Sequence, residues 1–193
     1  MRELIFATQN KHKLLEVSSL LGNQIKLVAL ADLRFKEELP ETHETLSENA
    51  LEKATFIFNL FNKNCIAEDT GLEIDALYGE PGVYSARYAG EGKNADDNID
   101  LVLKKMNGIE NRRARFRTVI ALFGKNKREL FEGITEGDIL IDRNGSKGFG
   151  YDPIFKPDGS DKSYDEMDLE EKNTISHRAK AFHKLAEYLK NSD

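Results

Sequence analysis

The sequence predicts an α/β fold built on a mixed sheet. Three observations carry this expectation: short apolar runs alternate with helical-period segments in the first half, a strand–turn–strand pattern follows, and an amphipathic helix closes the chain. Alternating strands and helices favour parallel pairing, and a tight hairpin adds antiparallel pairing.

Leu4 to Thr8 reads as a short buried strand. Asn10 can cap a helix running to about Leu21, with Leu14, Val17, Leu20 and Leu21 on its inner side and a loop after Gly22. Ile25 to Leu30 is the next strand. Thr45 and Glu48 have capping-box spacing, with Ser47 as the other cap choice, before a helix carrying Ala50, Ala54, Ile57, Phe58 and Phe61. Cys65-Ile66-Ala67 reads as a strand ending in Glu68-Asp69-Thr70-Gly71, the last two in a tight turn. Asn94 caps a helix with Ile99, Val102, Leu103 and Met106 inward, and Gly108 stops it. Arg115 to Phe123 and Arg128 to Thr135, separated by Gly124 to Lys127, form a hairpin; Asp138 to Ile141 is read as a third strand. Ser176 caps a final helix whose Ala179, Phe182, Ala186 and Leu189 face inward.

A chain of 193 residues fits one domain, residues 1–193, and buries roughly 70% of its unfolded surface without staples. One cysteine, Cys65, excludes an internal disulfide framework, and its apolar neighbours point to a buried, reduced thiol. No stretch approaches the ~20 apolar residues needed to span a bilayer, and the N-terminal apolar run is too short for a signal peptide. The expected location is the cytoplasm, with no membrane partner. A net charge of -6 argues against a nucleic-acid coat, which is usually basic. It leaves room for a phosphorylated small molecule, because a local cluster of donors and a divalent metal suffice.

Helix N-termini disfavour cations by ~0.3–1 kcal/mol. Yet Lys11 and Lys13 follow the Asn10 cap, and His177 and Arg178 follow Ser176. Cations beside free backbone N–H groups make sense where an anion binds; the plainer alternative is that they reach into solvent. Glu68 and Asp69 at a strand end, with Glu41, Glu44 and Glu48 upstream, offer hard oxygen ligands for magnesium or manganese, or a general base; the alternative is a solvated acidic loop. Gly148-Phe149-Gly150-Tyr151-Asp152-Pro153 lets backbone approach a ligand, with Phe149 or Tyr151 as a stacking face and Asp152 or backbone amides to read a base edge. The default for that pattern is an aromatic turn. Lys172 joins it only if the final helix folds back. His12, His43 and His183 show no metal or triad spacing, no Walker A or Gly-x-Gly-x-x-Gly motif is present, and Arg112, Arg113, Arg115 and Arg117 read as a solvated strand face.

Thr8-x-Asn10-x-x-Lys13, Ser47-Glu48-Asn49-Ala50 with Lys53-Ala54, Glu68-Asp69-Thr70-Gly71-Leu72, Gly79-x-Pro81-Gly82-Val83-Tyr84-Ser85-Ala86-Arg87-Tyr88, Gly148 to Phe155 and Ser176-His177-Arg178 occur in this order. Together they resemble the inosine triphosphate pyrophosphatase family over nearly the whole chain. The resemblance implies an elongated mixed sheet flanked by helices, two lobes with a central nucleotide cleft, and a homodimer. It implies magnesium-dependent hydrolysis of non-standard purine nucleoside triphosphates (ITP, dITP, XTP) to the monophosphate and pyrophosphate. By the same resemblance Thr8, Gln9, Asn10, Lys11, His12 and Lys13 bind the triphosphate with Lys53, and Gln9 stands where many members carry glycine. Asp69 matches the catalytic proton acceptor and a metal ligand, Glu41 a second ligand, Glu68 an aid to the metal, and Thr70 a substrate contact. Phe149, Gly150, Tyr151, Asp152, Lys172, His177 and Arg178 match the base pocket. A pocket of donors suits a 6-keto purine and leaves the amine of adenine unpaired.

Two other readings stay open on sequence alone. One is a Maf-like pyrophosphatase acting on modified pyrimidine nucleotides; the other is a nucleotide- or RNA-binding module without turnover.

Overall fold

The computed structural model describes residues 2–20, 25–145 and 149–191. Leu21, Gly22 and Gly148, which the sequence reading used, lie outside the described residues. Among the described residues six strands form one mixed sheet in the order β2-β1-β3-β4-β5-β6: β1 (Arg2–Phe6), β2 (Ile25–Ala29), β3 (Cys65–Ile74), β4 (Arg113–Gly124), β5 (Lys127–Ile139) and β6 (Phe155–Pro157). β1 pairs in parallel with β2 and with β3, and β5 pairs antiparallel with β6. β4 and β5 are neighbours joined by two residues, a link only antiparallel strands allow. Among the described residues five α-helices accompany them: α1 (Lys11–Leu20), α2 (Leu46–Phe61), α3 (Ala95–Lys105), α4 (Leu169–Ile175) and α5 (His177–Asn191).

The chain divides into two compact units. The first comprises 1–69, 118–133 and 177–193, the second 70–117 and 134–176. The core of the first is built from Leu4, Phe6, Val17, Ile66, Ile120, Leu122, Phe182, Leu185 and Leu189. Phe6 meets Phe182 edge-on with ring centroids 6.0 Å apart. Local chemistry sets the helix starts. Asn10 Oδ1 accepts from the amides of His12 and Lys13 at 2.9 and 3.3 Å, opening α1. Thr45, not Ser47, caps α2: its Oγ1 accepts from Glu48 N and donates to the Glu48 carboxylate at 2.7 Å.

The second unit packs Leu72, Ile74, Ile99, Val102, Met106, Phe116, Tyr151, Ile154, Phe155 and Tyr164 into its own core. The Phe116 and Phe155 rings meet edge-on at 4.8 Å. Asn94 caps α3 by accepting from Asp96 N and Asp97 N.

Several expectations need correction. β3 does not end at Glu68-Asp69 in a turn; it runs on to Ile74, with Leu72 and Ile74 fully buried. Gly71 serves a close approach: a Cβ there would sit 2.6 Å from the Gly82 carbonyl oxygen. Ser85 locks this crossing, its Oγ accepting from Leu72 N at 2.9 Å and donating to Gly82 O at 2.6 Å. Asp138 to Ile141 is no separate strand, because the in–out alternation of Phe131, Gly133, Thr135, Gly137 and Ile139 carries β5 unbroken to Ile139. The third strand of that run is β6 instead. α4 was not expected at all; Asp168 caps it by accepting from Glu171 N at 2.8 Å. The arginine row is paired as well as partly exposed to solvent. Arg112 donates to the carbonyls of Met106, Ile139 and Leu140, Arg113 pairs with Asp158, and Arg115 and Arg117 share Glu73. Cys65 is buried, and burial pushes its thiol pKa up to about 12, which leaves it unreactive.

Candidate active site

Successive side chains of a strand point to opposite faces, and β3 puts this to use at two adjacent carboxylates. Ile66 and Glu68 face α1 and α5; Cys65 and Asp69 face α2, where Cys65 Sγ sits 3.0 Å from the Ala54 carbonyl oxygen. The two acids therefore belong to different charge clusters.

On the first face, Arg178 Nε lies 3.1 Å from both oxygens of Glu68, and its terminal nitrogen binds Glu16 of α1. Lys13 Nζ reaches the same Glu68 carboxylate at 3.1 Å. Two carboxylates thus meet two cations with Glu68 wholly enclosed. Burial alone would raise the Glu68 pKa, but the charges of Arg178 and Lys13 outweigh it and hold the group at about 2. Arg178 is raised further above its ordinary value by Glu68 and Glu16, against the burial that opposes its charge. Neither Lys13 nor Arg178 simply reaches into solvent. Beside Arg178, His177 Nδ1 sits 2.6 Å from the buried Thr118 hydroxyl.

On the second face, Lys53 Nζ bridges Asp69 Oδ1 at 2.9 Å and Glu41 Oε1 at 2.6 Å. Asn49 Nδ2 approaches the other Asp69 oxygen at 3.4 Å. Burial raises the Asp69 pKa above the ordinary aspartate value despite Lys53 and Lys13, and nearby Glu41 adds to the rise. Lys53 is raised as well: burial opposes its charge, but Asp69 and Glu41 more than compensate. A buried carboxylate with a raised pKa is suited to accepting a proton.

The remaining phosphate-side residues sit at the start of α1. Thr8 Oγ1 accepts from Asn10 N at 3.1 Å, and Gln9 Nε2 donates to Glu37 O at 2.8 Å. Lys11 and His12 are exposed. No acidic residue occupies the first turn, so the helix end remains electropositive.

Among the described residues no group of three or more His, Cys, Asp or Glu is gathered to hold a metal. The pair Glu41 and Asp69 nonetheless fits a hard divalent cation, since magnesium commonly takes one or two carboxylates and completes its shell with substrate phosphates and water. Lys53 already holds those two oxygens around one positive charge. Glu68 fits the metal less well, because its oxygens are committed to Arg178 and Lys13.

The second unit holds a smaller polar site. Asp152 and Lys172 form a buried pair at 2.6 Å, and Phe149 N donates to the same Asp152 oxygen at 3.3 Å. Lys172 Nζ also lies 5.4 Å from the centre of the Tyr164 ring. Gly150 adopts φ of +62°, a conformation natural to glycine. Tyr151 is buried in the aromatic core with its hydroxyl donating to Ser85 O at 2.8 Å, so it offers no open stacking face; Phe149 is half-buried. Thr70 follows Asp69 on β3, also half-buried. Sequence reasoning missed Glu16 and Asn49. A signal existed for Asn49: it and Lys53 fall at helical spacing with Leu46, Ala50 and Ile57 on the buried side of α2.

Comparison with known proteins supplies the family. Residues 4–188 match the Ham1 family. The dITP/XTP pyrophosphatase of Flavobacterium johnsoniae is 49% identical over 97% of this chain and 97% of its own length. That of Bacillus subtilis is 46% identical over 98% of each. The Staphylococcus aureus Ham1 protein superimposes with a TM-score of 0.90 at 36% identity, covering 100% of both chains. A HAM1 protein from Coxiella burnetii gives 0.91 at 35% identity, again over 100% of both. With its mixed six-stranded sheet and its two polar sites, the chain belongs to the Ham1 family.

Proposed function

We propose that this protein hydrolyses non-standard purine nucleoside triphosphates, of the dITP, ITP and XTP type, to the monophosphate and pyrophosphate. One observation carries the reading: a buried carboxylate with a raised pKa, Asp69, shares a single ammonium with Glu41, in the unit that also presents the electropositive start of α1. The relatives named dITP/XTP pyrophosphatase, aligned over almost their whole length, support the substrate class.

In this reading Asp69 orients a water molecule and takes its proton as the water attacks the α-phosphorus. Thr8, Gln9 and Asn10 present backbone and side-chain groups to the phosphates, Lys11 and His12 flank them, and Lys13 and Lys53 stabilise negative charge on the departing pyrophosphate. Glu41 and Asp69 would hold magnesium, which when bound neutralises phosphate charge and lowers the pKa of its water. Glu68 acts from the opposite face of β3: it ties down Lys13 and Arg178 rather than ligating the metal. Asp152 and Lys172, with Phe149, Gly150 and Tyr151 around them, read the base, while His177 and Arg178 are held within the first unit by Thr118 and by Glu68 and Glu16. Lys172 supplies a donor to a keto oxygen. An amino group there would face another donor, and such unsatisfied pairings are rejected strongly. The same reading takes the chain as one catalytic domain, homodimeric and cytoplasmic.

A panel of ITP, dITP, XTP, ATP, dTTP and UTP, with and without magnesium, tests it. Pyrophosphate release from the first three alone, and only with metal, is the expected outcome. Preference for dTTP or UTP transfers the protein to the Maf-like class. Tight binding of a non-hydrolysable ITP analogue with no pyrophosphate from any substrate makes it a binding module.

A further inference from the structure

Glu41 does not sit on a helix or strand. It lies on the irregular stretch between Leu39 and Thr45, where backbone freedom is greatest and a carboxylate is hardest to place. Besides Lys53, which bonds Glu41 itself, two side chains of α2 restrain the backbone of that stretch. Glu52 accepts from Thr42 N at 2.9 Å and from Thr42 Oγ1 at 2.8 Å. Asn49 grips the next residue twice: its Oδ1 accepts from His43 N at 2.9 Å, and its Nδ2 donates to His43 O at 3.1 Å.

The second amide hydrogen of Asn49 is directed to Asp69 Oδ2 at 3.4 Å. With only 1% of its surface exposed, Asn49 spends both donors and its acceptor on these contacts. Alongside Lys53, which bonds both carboxylates, it thus ties the backbone of the loop bearing Glu41 to the strand bearing Asp69. A leucine or alanine would suit the buried side of α2 better, since an enclosed amide is costly unless fully bonded. Its full set of partners is what makes it tolerable there.

We propose that Asn49 is the positioning residue that sets the separation of Glu41 and Asp69, and through it the affinity for a divalent cation. The inference rests on the assignment of that pair to the metal. Partners of this kind hold ligand oxygens in register, and their loss weakens metal binding by roughly 10–100-fold. Asp in place of Asn49 keeps the size and the acceptor for His43 N but loses both donors and sets a second negative charge against Asp69.

The experiment is a titration of wild type, Asn49→Ala, Asn49→Asp and Glu52→Ala with Mn2+ alone, read by the electron paramagnetic resonance of free Mn2+, followed by turnover of dITP at varied metal. The expected result is Mn2+ binding weakened about 10–100-fold in Asn49→Ala and at least as far in Asn49→Asp. Glu52→Ala loses less, since Asn49 still grips the loop. The KM for metal rises in the same order, raised metal restores much of the rate, and the KM for dITP at saturating metal stays within about threefold of wild type. Asn49→Asp, being the same size, serves if the alanine variant does not fold. Folded Asn49 variants that bind Mn2+ within about twofold of wild type overturn the role of Asn49. Failure of the wild type itself to bind Mn2+ overturns the cation site and this inference together; dITP hydrolysis with normal Mn2+ binding in the variants leaves the proposed activity standing and removes only Asn49.

Discussion

The two compact units handle buried charge differently. In the first, three cations and four carboxylates (Lys13, Lys53 and Arg178 with Glu16, Glu41, Glu68 and Asp69) divide into two clusters on opposite faces of β3. In the second, the pair Asp152 and Lys172 sits beside an aromatic core, and Asp165 is buried as well. A web with more acid than base leaves room for another positive charge, as phosphate chemistry with a metal demands. The Asp152–Lys172 pair is neutral as a unit and suits recognition of a neutral base by directed hydrogen bonds.

This contrast can be broken by substitution. Asp69→Asn should cost the most in turnover, about 10²–10⁴-fold in kcat, as expected for loss of a general base. Its melting temperature should stay near wild type, and a retained rate removes Asp69 from catalysis. Arg178→Met leaves Glu68 with Lys13 alone and takes the guanidinium from buried Glu16, and should cost about 3–5 kcal/mol of stability, read by urea unfolding. A loss under about 1 kcal/mol would show that the web is not the mainstay of the first unit.

Acid should find the same weakness. The Glu68 pKa is held at about 2, against 4.5 when unfolded. The folded state therefore binds fewer protons than the unfolded state between those values. Stability on the order of 3 kcal/mol is fully present above pH 4.5 and is lost as pH falls toward 2. Unfolding followed across that range should steepen in wild type and flatten in Glu68→Gln. The smallest effect belongs to the second unit: Lys172→Met should narrow the preference for ITP over ATP by about 10–100-fold, the value of one buried donor, while kcat for ITP falls less. An unchanged preference moves base reading elsewhere.

The sequence made some of this legible because local chemistry decides it. Asn10, Thr45 and Asn94 carry capping side chains, and each opens a helix where expected. Glu68 and Asp69 deceived at the level of secondary structure. Two adjacent acids after an apolar run look like a strand end, because the cations that let β3 continue are Lys13 and Arg178, far away along the chain. Tyr151 deceived likewise: glycines beside an aromatic suggested an open stacking face, but Ser85 and the core claim the ring. Asn49 and Glu16 went unread because their roles lie in partners distant in sequence. The ordered motifs named the candidate residues; the partners of each charge became visible only in three dimensions.

The division of Glu68 and Asp69 between opposite faces sets what kind of change the stretch from Cys65 to Asp69 can accept. Inserting or deleting one residue there inverts every side chain downstream. A deletion at Ala67 would still present one carboxylate to each face, so each face would keep its charge balance while the two acids traded places. Alleles that shorten or lengthen this stretch should thus be silenced even when they fold, whereas exchange of Ala67 for another small side chain should pass.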